Sequence, residues 1–166
     1  MTRTPEARSR RSRRLLVVVA AGLVAVALVV DSIARQALAG DRSVDLGVLQ
    51  LKLAYNTGVA FSMGDQLPTP VLLTVTGLIT AGIAVYAWRA APTSSWPSIV
   101  GLGAIFAGAA ANVIDRTLDW KVTDYLHTGW FPTFNLADTF LSCGIALLLA
   151  AQFLESCSAD SKVSTS

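Results

Sequence analysis

The sequence predicts an all-α polytopic membrane protein with four transmembrane helices and a small β element on its exterior face. The chain has 166 residues, of which 53% are hydrophobic and only 14% are charged, whereas about 25% of residues are charged in an ordinary soluble domain. The charges are also unevenly spread, because four segments of 16 to 18 residues contain none. These segments are Leu15–Val30, Val71–Trp88, Ile99–Ile114 and Thr139–Leu154.

Each charge-free segment is slightly shorter than the ~20 residues that cross a bilayer, and uncharged flanking residues supply the difference. Polar residues at the ends of these spans therefore lie close to the membrane surface. We expect three parts in the chain: a basic cytoplasmic N-terminus (1–14), a four-span membrane domain (15–154) and a disordered cytoplasmic tail (155–166).

Arginines near the start of the chain predict its orientation in the membrane. Six arginines precede the first span, and positively charged residues favour the cytoplasmic side. Four spans then return the C-terminus to the cytoplasm and leave two exterior segments, at about residues 31–70 and 115–138. Charged residues give the cytoplasmic segments a net charge of +5 and the exterior segments −3, which supports this orientation.

Two other interpretations of the N-terminus are less well supported. Its basic residues, its apolar run and the A-x-A pattern in Ala37–Gly40 are similar to a cleavable secretory signal. Asp31 and Arg35 interrupt that pattern before the cleavage site, so an uncleaved first helix is simpler. The arginines could also bind nucleic acid, but beside an apolar span a topology signal is the better explanation.

The first exterior segment contains the predicted β element. Residues Leu49–Tyr55 alternate in polarity, which is typical of a half-buried strand. Asn56–Gly58 then favour a turn. We therefore expect this segment to form a small β structure beside the membrane.

The third span is rich in small residues, with Gly101, Gly103 and the run Ala107–Ala111. In lipid, small side chains let helix backbones approach one another closely. Polar residues follow directly in the sequence and need partners. We therefore expect the third span to pack tightly against a neighbouring helix.

Polar residues cluster at the exterior ends of the spans. Asn112, Asp115 and Arg116 have the i, i+3, i+4 spacing of one helix face, and Asn135 and Asp138 repeat the i, i+3 spacing. The whole set comprises Asp31, Asn112, Asp115, Arg116, Asp124, Asn135 and Asp138. Charged groups at membrane depth are costly, so they are candidates for function.

This cluster favours catalysis by a pair of carboxylates. Two close aspartates share one proton, so one can act as a base toward water while the other acts as an acid. Spacing alone leaves open which two act, and Asp115 is a possible member. His127, Cys143 and Cys157 have no neighbours that indicate a metal site or a nucleophile. We expect neither a metal nor another cofactor.

Four motifs occur in order along the chain. They are Asn56–Ser62 (NTGVAFS), Ala111–Arg116 (ANVIDR), Val122–Tyr125 (VTDY) and Phe134–Asp138 (FNLAD). Together they resemble the motifs of the lipoprotein signal peptidase (signal peptidase II) family, from about Asp31 to Gly144. The resemblance implies a four-helix aspartyl peptidase of the bacterial inner membrane. Such enzymes remove signal peptides from prolipoproteins, just before a diacylglyceryl-modified cysteine and on the outer side of the membrane.

The resemblance also implies a role for each polar residue. Asp124 and Asp138 match the catalytic aspartates of the family. The residues expected to bind substrate or to support the site are Asn56, Asn112, Arg116 and Asn135. Asp31 and Asp115 are expected to be structural, with Asp115 as the partner of Arg116 or of a backbone group.

The residues alone also permit two other functions. One is a small proton- or ion-coupled carrier that uses the same acidic residues, and the other is a scaffold whose acids only mark helix ends. Carrier sites tend to lie near the midplane on broken helices, whereas these acids end uninterrupted spans. The expected partners are lipid-modified prolipoproteins and membrane lipids, without nucleic acid, and the chain is expected to be a monomer.

Overall fold

The residues that the structure describes form a bundle of four long helices with a small sheet at one end. The computed structural model describes residues 4–56 and 68–163. The helices are α1 (Pro5–Ala37), α2 (Thr69–Ala90), α3 (Trp96–Asp119) and α4 (Leu136–Val163). The strands are β1 (Ser43–Asp45), β2 (Gln50–Asn56) and β3 (Val122–His127). All four helices are long and apolar enough to cross a membrane, so the predicted fold class is confirmed.

All four helices extend beyond their charge-free segments, and α1 and α4 extend the furthest. The 33 residues of α1 correspond to about 50 Å of helix, which exceeds the ~30 Å hydrocarbon core. The arginine-rich start of the chain therefore continues the first span as helix from Pro5. At the other end of the chain, α4 runs to Val163. Residues 155–163, for which we expected disorder, are thus helical, because good helix formers such as Glu155 lie among the serines.

α3 is the central helix and packs against α1, α2 and α4. Its glycines allow the closest of these contacts. A Cβ on Gly101 would lie 2.9 Å from the carbonyl oxygen of Gly144, and a Cβ on Gly108 would lie 2.9 Å from the amide nitrogen of Leu141. The predicted close packing of the third span is confirmed, and its partner is α4.

The outward faces of the helices carry large apolar side chains. Val18, Val29, Leu78 and Leu149 are 58–69% exposed. In water such an apolar surface would be unfavourable, but lipid tails are as apolar as these side chains. The distribution of exposed residues therefore supports four membrane-spanning helices.

The sheet is antiparallel, with the strand order β1-β2-β3. β2 lies within one residue of the strand predicted at Leu49–Tyr55. Its partner β3 places Asp124 opposite Ala54 and Val122 opposite Asn56. Because β3 connects the end of α3 to the start of α4, the sheet holds Asp124 at the end of the bundle where α4 begins. Beyond Asn56, the predicted turn lies outside the described residues.

Candidate active site

Asp138 lies in the first turn of α4, where it forms a reciprocal cap with Asn135. The Asn135 side-chain oxygen accepts the backbone N–H of Asp138 at 2.9 Å, and the Asp138 Oδ2 atom accepts the backbone N–H of Asn135 at 3.2 Å. This is a capping box, which satisfies two backbone donors at a helix start. The motif FNLAD therefore fixes the Asp138 carboxylate at the positive end of the α4 dipole.

Two asparagines connect Asp138 to Asp124 by hydrogen bonds. Asn112 Nδ2 donates to Asp138 Oδ1 at 2.7 Å. Asn135 Nδ2 lies 3.0 Å from both Asn112 Oδ1 and Asp124 Oδ1 and donates to them. Asn135 is fully buried, so its amide cannot exchange these partners for water. The resulting network joins α3, α4 and β3 and sets the relative position of the two carboxylates.

Arg116 and Asn56 complete the surroundings of the aspartates. Arg116 follows Asn112 by one helical turn, is buried, and interacts electrostatically with both Asp124 and Asp138. The side chain of Asn56, at the end of β2, forms a hydrogen bond with Asp124. The structure thus brings together the six residues for which the resemblance implies catalytic, binding or supporting roles. Residues 57–62 of the first motif lie outside the described residues.

The pKa of Asp124 is raised from 3.8 to about 7. Burial is the main cause, since it disfavours the charged carboxylate, and the nearby Asp138 carboxylate adds to the effect. Hydrogen bonds from Asn56 and Asn135 act in the opposite direction. Asp124 therefore carries its proton in about half of the molecules at pH 7 and in most of them at lower pH.

Asp115 and Asp31 lie outside this network. Asp115 Oδ2 accepts the backbone N–H of Thr123 at 2.7 Å, and Oδ1 pairs with Arg35 of α1. The expected backbone partner is thus present, and the cation paired with Asp115 comes from α1. Asp31, near the end of α1, is buried, and it forms a hydrogen bond with Tyr125 of β3. Asn112 and Arg116 line the same groove as Asp124 and Asp138, whereas Asp115 does not, so these three residues do not share one functional face.

A groove of about 1050 Å³ opens in front of both aspartates. Residues of α2, α3 and α4 line it, together with residues of β2 and β3 and residues 130–134. Apart from the polar network, the lining is largely apolar and includes Ile79, Ile83, Val113, Leu141 and Phe134.

The sequence did not predict that α2 and the aromatic segment Trp130–Phe134 would line the groove. The second could have been suspected, because aromatic residues directly precede Asn135 in the chain. Cys143 also lines this groove.

This arrangement is suited to acid–base catalysis on a substrate bound in the groove. Both carboxylates line the groove, and one of them holds a proton near neutral pH. A protonated and an ionised carboxyl group in one site can act as acid and base in the same reaction.

Comparisons with known proteins indicate the family of this chain. The family model described as signal peptidase (SPase) II matches residues 14–154. The lipoprotein signal peptidase of Dehalococcoides mccartyi (strain CBDB1) is 36% identical over 112 residues, which cover 66% of this chain and 70% of that protein. The lipoprotein signal peptidase of Mycobacterium avium (strain 104) is 33% identical over 153 residues, which cover 87% of this chain and 82% of that protein.

A solved structure described as a bacterial membrane enzyme has the same fold. It matches with a TM-score of 0.72 and 25% identity, over 85% of this chain and 88% of that chain. The match between residues 14–154 and the family model covers all four spans and both aspartates. The chain therefore belongs to the signal peptidase II family and is an aspartic-type signal peptidase of the membrane.

Proposed function

We propose that the protein removes signal peptides from diacylglyceryl-modified prolipoproteins, just before the lipidated cysteine, by a mechanism in which Asp124 and Asp138 activate water. The observation that carries this proposal is the hydrogen-bonded network that joins the two carboxylates at a largely apolar groove. Membership of the signal peptidase II family supports the reaction class. It also favours a peptidase over a carrier or a scaffold.

The contacts of the two aspartates support different starting protonation states. Asp138 accepts hydrogen bonds from Asn112 Nδ2 and from the Asn135 backbone, and it lies at a helix N-terminus, where negative charge is favoured. Asp124 is buried and has a pKa of about 7. We therefore assign the shared proton to Asp124 and the negative charge to Asp138 before the reaction.

The reaction then proceeds as a balanced acid–base hydrolysis. Asp138 accepts a proton from water as the water oxygen bonds to the scissile carbonyl carbon, while Asp124 donates its proton to the carbonyl oxygen. Asp138 next donates a proton to the leaving nitrogen as the C–N bond breaks, and Asp124 recovers a proton from a hydroxyl of the intermediate. Arg116, which interacts with both carboxylates, offsets the negative charge that passes between them.

The membrane itself would provide much of the substrate orientation. The diacylglyceryl group would hold the scissile bond at a fixed depth, and the apolar groove walls would contact the signal segment. Restricting a substrate in this way lowers the entropic part of the barrier. We further propose that the termini are cytoplasmic, that the aspartates face the exterior, and that the protein acts as a monomer surrounded by lipid.

Lipid modification of the substrate is expected to control the rate. A diacylated prolipoprotein should be cleaved with a kcat/KM roughly 100-fold higher than the same precursor with a free cysteine thiol, because the lipid orients the scissile bond. The measurement compares both precursors with purified protein in the same detergent, with product identified by mass spectrometry. Equal kcat/KM values for the two precursors would show that the lipid is not recognised.

The proton on Asp124 predicts the pH dependence of cleavage. Because the mechanism requires this proton, kcat/KM should fall as the pH rises through about 7. The charged groups that face Asp124 are Asp31 of α1, Arg116 of α3 and Asp138 of α4. The folded protein also binds the proton more tightly than the unfolded chain, so the stability that this group contributes is fully present below pH 3.8 and is lost as the pH rises from there to about 7.

Rates and thermal unfolding between pH 5 and 9 test this prediction. Asp45→Asn, on exposed β1, is the matched control and should keep the wild-type profile. A kcat/KM that rises steadily from pH 6 to pH 9 would contradict the assignment of the proton to Asp124.

A further inference from the structure

Two charged residues in the last turns of α1 face the strand that carries Asp124. Asp31 and Arg35 are four residues apart and therefore lie on one face of the helix. Asp31 is only 2% exposed, and the Arg35 side chain is partly buried. Neither residue is among the described residues that line the groove. Their contacts lead instead to the two neighbours of Asp124 in β3, Thr123 and Tyr125.

The first connection runs from Asp31 through Tyr125. Tyr125 is 4% exposed, and its hydroxyl accepts the backbone N–H of Leu136 at 3.2 Å. The same hydroxyl forms a hydrogen bond with Asp31. Burial, together with the Asp31 charge, raises the pKa of Tyr125, so the hydroxyl keeps its proton and donates a hydrogen bond to the Asp31 carboxylate. Because Leu136 follows Asn135 in the chain, this contact ties β3 to the start of α4.

The second connection runs from Arg35 through Asp115. Arg35 pairs with both Asp115 and Asp119, one turn apart on α3, with the Asp119 contact at 2.6 Å. Asp115 is 1% exposed, and its other oxygen accepts the backbone N–H of Thr123 at 2.7 Å. Both Asp115 oxygens are thus occupied, one by α1 and one by β3. This contact ties β3 to α1 and α3.

We propose that Asp31 and Arg35 are positioning residues for Asp124, with α1 fixing the strand on both sides of the catalytic carboxylate. Asp31 acts through the Tyr125 hydroxyl, and Arg35 acts through Asp115 and the Thr123 backbone. The inference rests on the proposed function, since it takes Asp124 as a catalytic residue. It predicts effects on kcat, because the residues involved do not contact the substrate groove.

Tyr125→Phe tests the first connection with little change in shape. Losing the hydroxyl should lower kcat about 10- to 100-fold, because small displacements of a catalytic group have effects of this size, while KM stays within about twofold. Asp31→Ala removes the acceptor of the same hydrogen bond and should have a similar effect. The double variant should lose no more than either single variant, because both changes break the same hydrogen bond. Tyr86→Phe, on an exposed face of α2, is the control and should behave as wild type.

Arg35→Gln and Arg35→Lys test the second connection. Gln removes the cation and should lower kcat about 10-fold or more, whereas Lys keeps a charge for Asp115 and should restore most of the rate. All variants are compared after purification in one detergent, with thermal unfolding measured in parallel. A merely structural role would lower the unfolding temperature without changing kcat of the folded protein.

The outcomes separate this inference from the proposed function. If wild-type protein cleaves a diacylated prolipoprotein while Tyr125→Phe and Arg35→Gln keep the wild-type kcat, the positioning role is wrong and the proposed function stands. An increase in KM at unchanged kcat would also refute the positioning role, since it would indicate substrate contact. If wild-type protein does not cleave the lipidated precursor, both proposals fail.

Discussion

Replacing Asp138 by asparagine is expected to lower kcat for cleavage of a diacylated prolipoprotein roughly 10²–10⁴-fold. Asparagine has nearly the same shape as aspartate, and its side-chain oxygen can still accept the backbone N–H of Asn135, so the cap of α4 is kept. Its amide nitrogen then takes the place of Oδ1, so the hydrogen bond from Asn112 Nδ2 is lost. The amide, however, cannot take a proton from water. The rate of the cleavage step should therefore fall, while the fold and substrate binding are kept.

Protein purified in detergent provides the measurement. Thermal unfolding and binding of the lipidated precursor should match wild type, and only the rate of product formation should change. Asp45→Asn makes the same substitution on exposed β1 and should retain full activity. An Asp138→Asn variant within tenfold of the wild-type kcat would remove Asp138 from the mechanism.

Gly108→Ala is expected to have the second largest effect, because it acts at the closest contact between α3 and α4. The added methyl group would overlap the carbonyl oxygen of Ala137 and would lie 2.9 Å from the amide nitrogen of Leu141. Both atoms belong to the backbone, so the start of α4 must move. Overpacking of this kind costs about 1–3 kcal/mol of stability, and a shift of about 1 Å at Asp138 would lower kcat about 100-fold.

Gly77→Ala is the matched control for this prediction. It adds the same methyl group to a membrane-spanning helix, but at α2, where a Cβ would meet no atom within 4 Å. Alanine also has a higher helix propensity than glycine, so the control should unfold at the wild-type temperature or above. If Gly108→Ala also keeps wild-type stability and kcat, the contact between α3 and α4 does not position Asp138.

The sequence was most informative where a single physical rule dominates. Segments without charge identified all four spans, because lipid excludes charged residues regardless of tertiary contacts. Alternation of polarity located β2, since one face of that strand is partly buried. The resemblance of four short motifs to a known family indicated Asp124 and Asp138. The same motifs contain Asn112 and Asn135.

Contacts between distant parts of the chain were not predictable in this way. The ion pair between Arg35 and Asp115 joins residues 80 positions apart, and nothing in either local sequence indicates the other. β3 was not predicted as a strand, because its first four residues are all buried and therefore do not alternate in polarity. Helical spacing also grouped Asp115 with Arg116, although Asp115 pairs with α1 and β3 while Arg116 lines the groove.

The central claim is that Asp124 and Asp138 act together on water, and single-turnover cleavage by Asp124→Asn tests it most directly. The enzyme is used in excess over a diacylated prolipoprotein, so that product release does not limit the rate, and the series runs from pH 5 to pH 9. Asparagine cannot supply the proton that the carbonyl oxygen requires, so we expect no cleavage above background at any pH. Cleavage at more than a tenth of the wild-type rate at any pH would contradict the account.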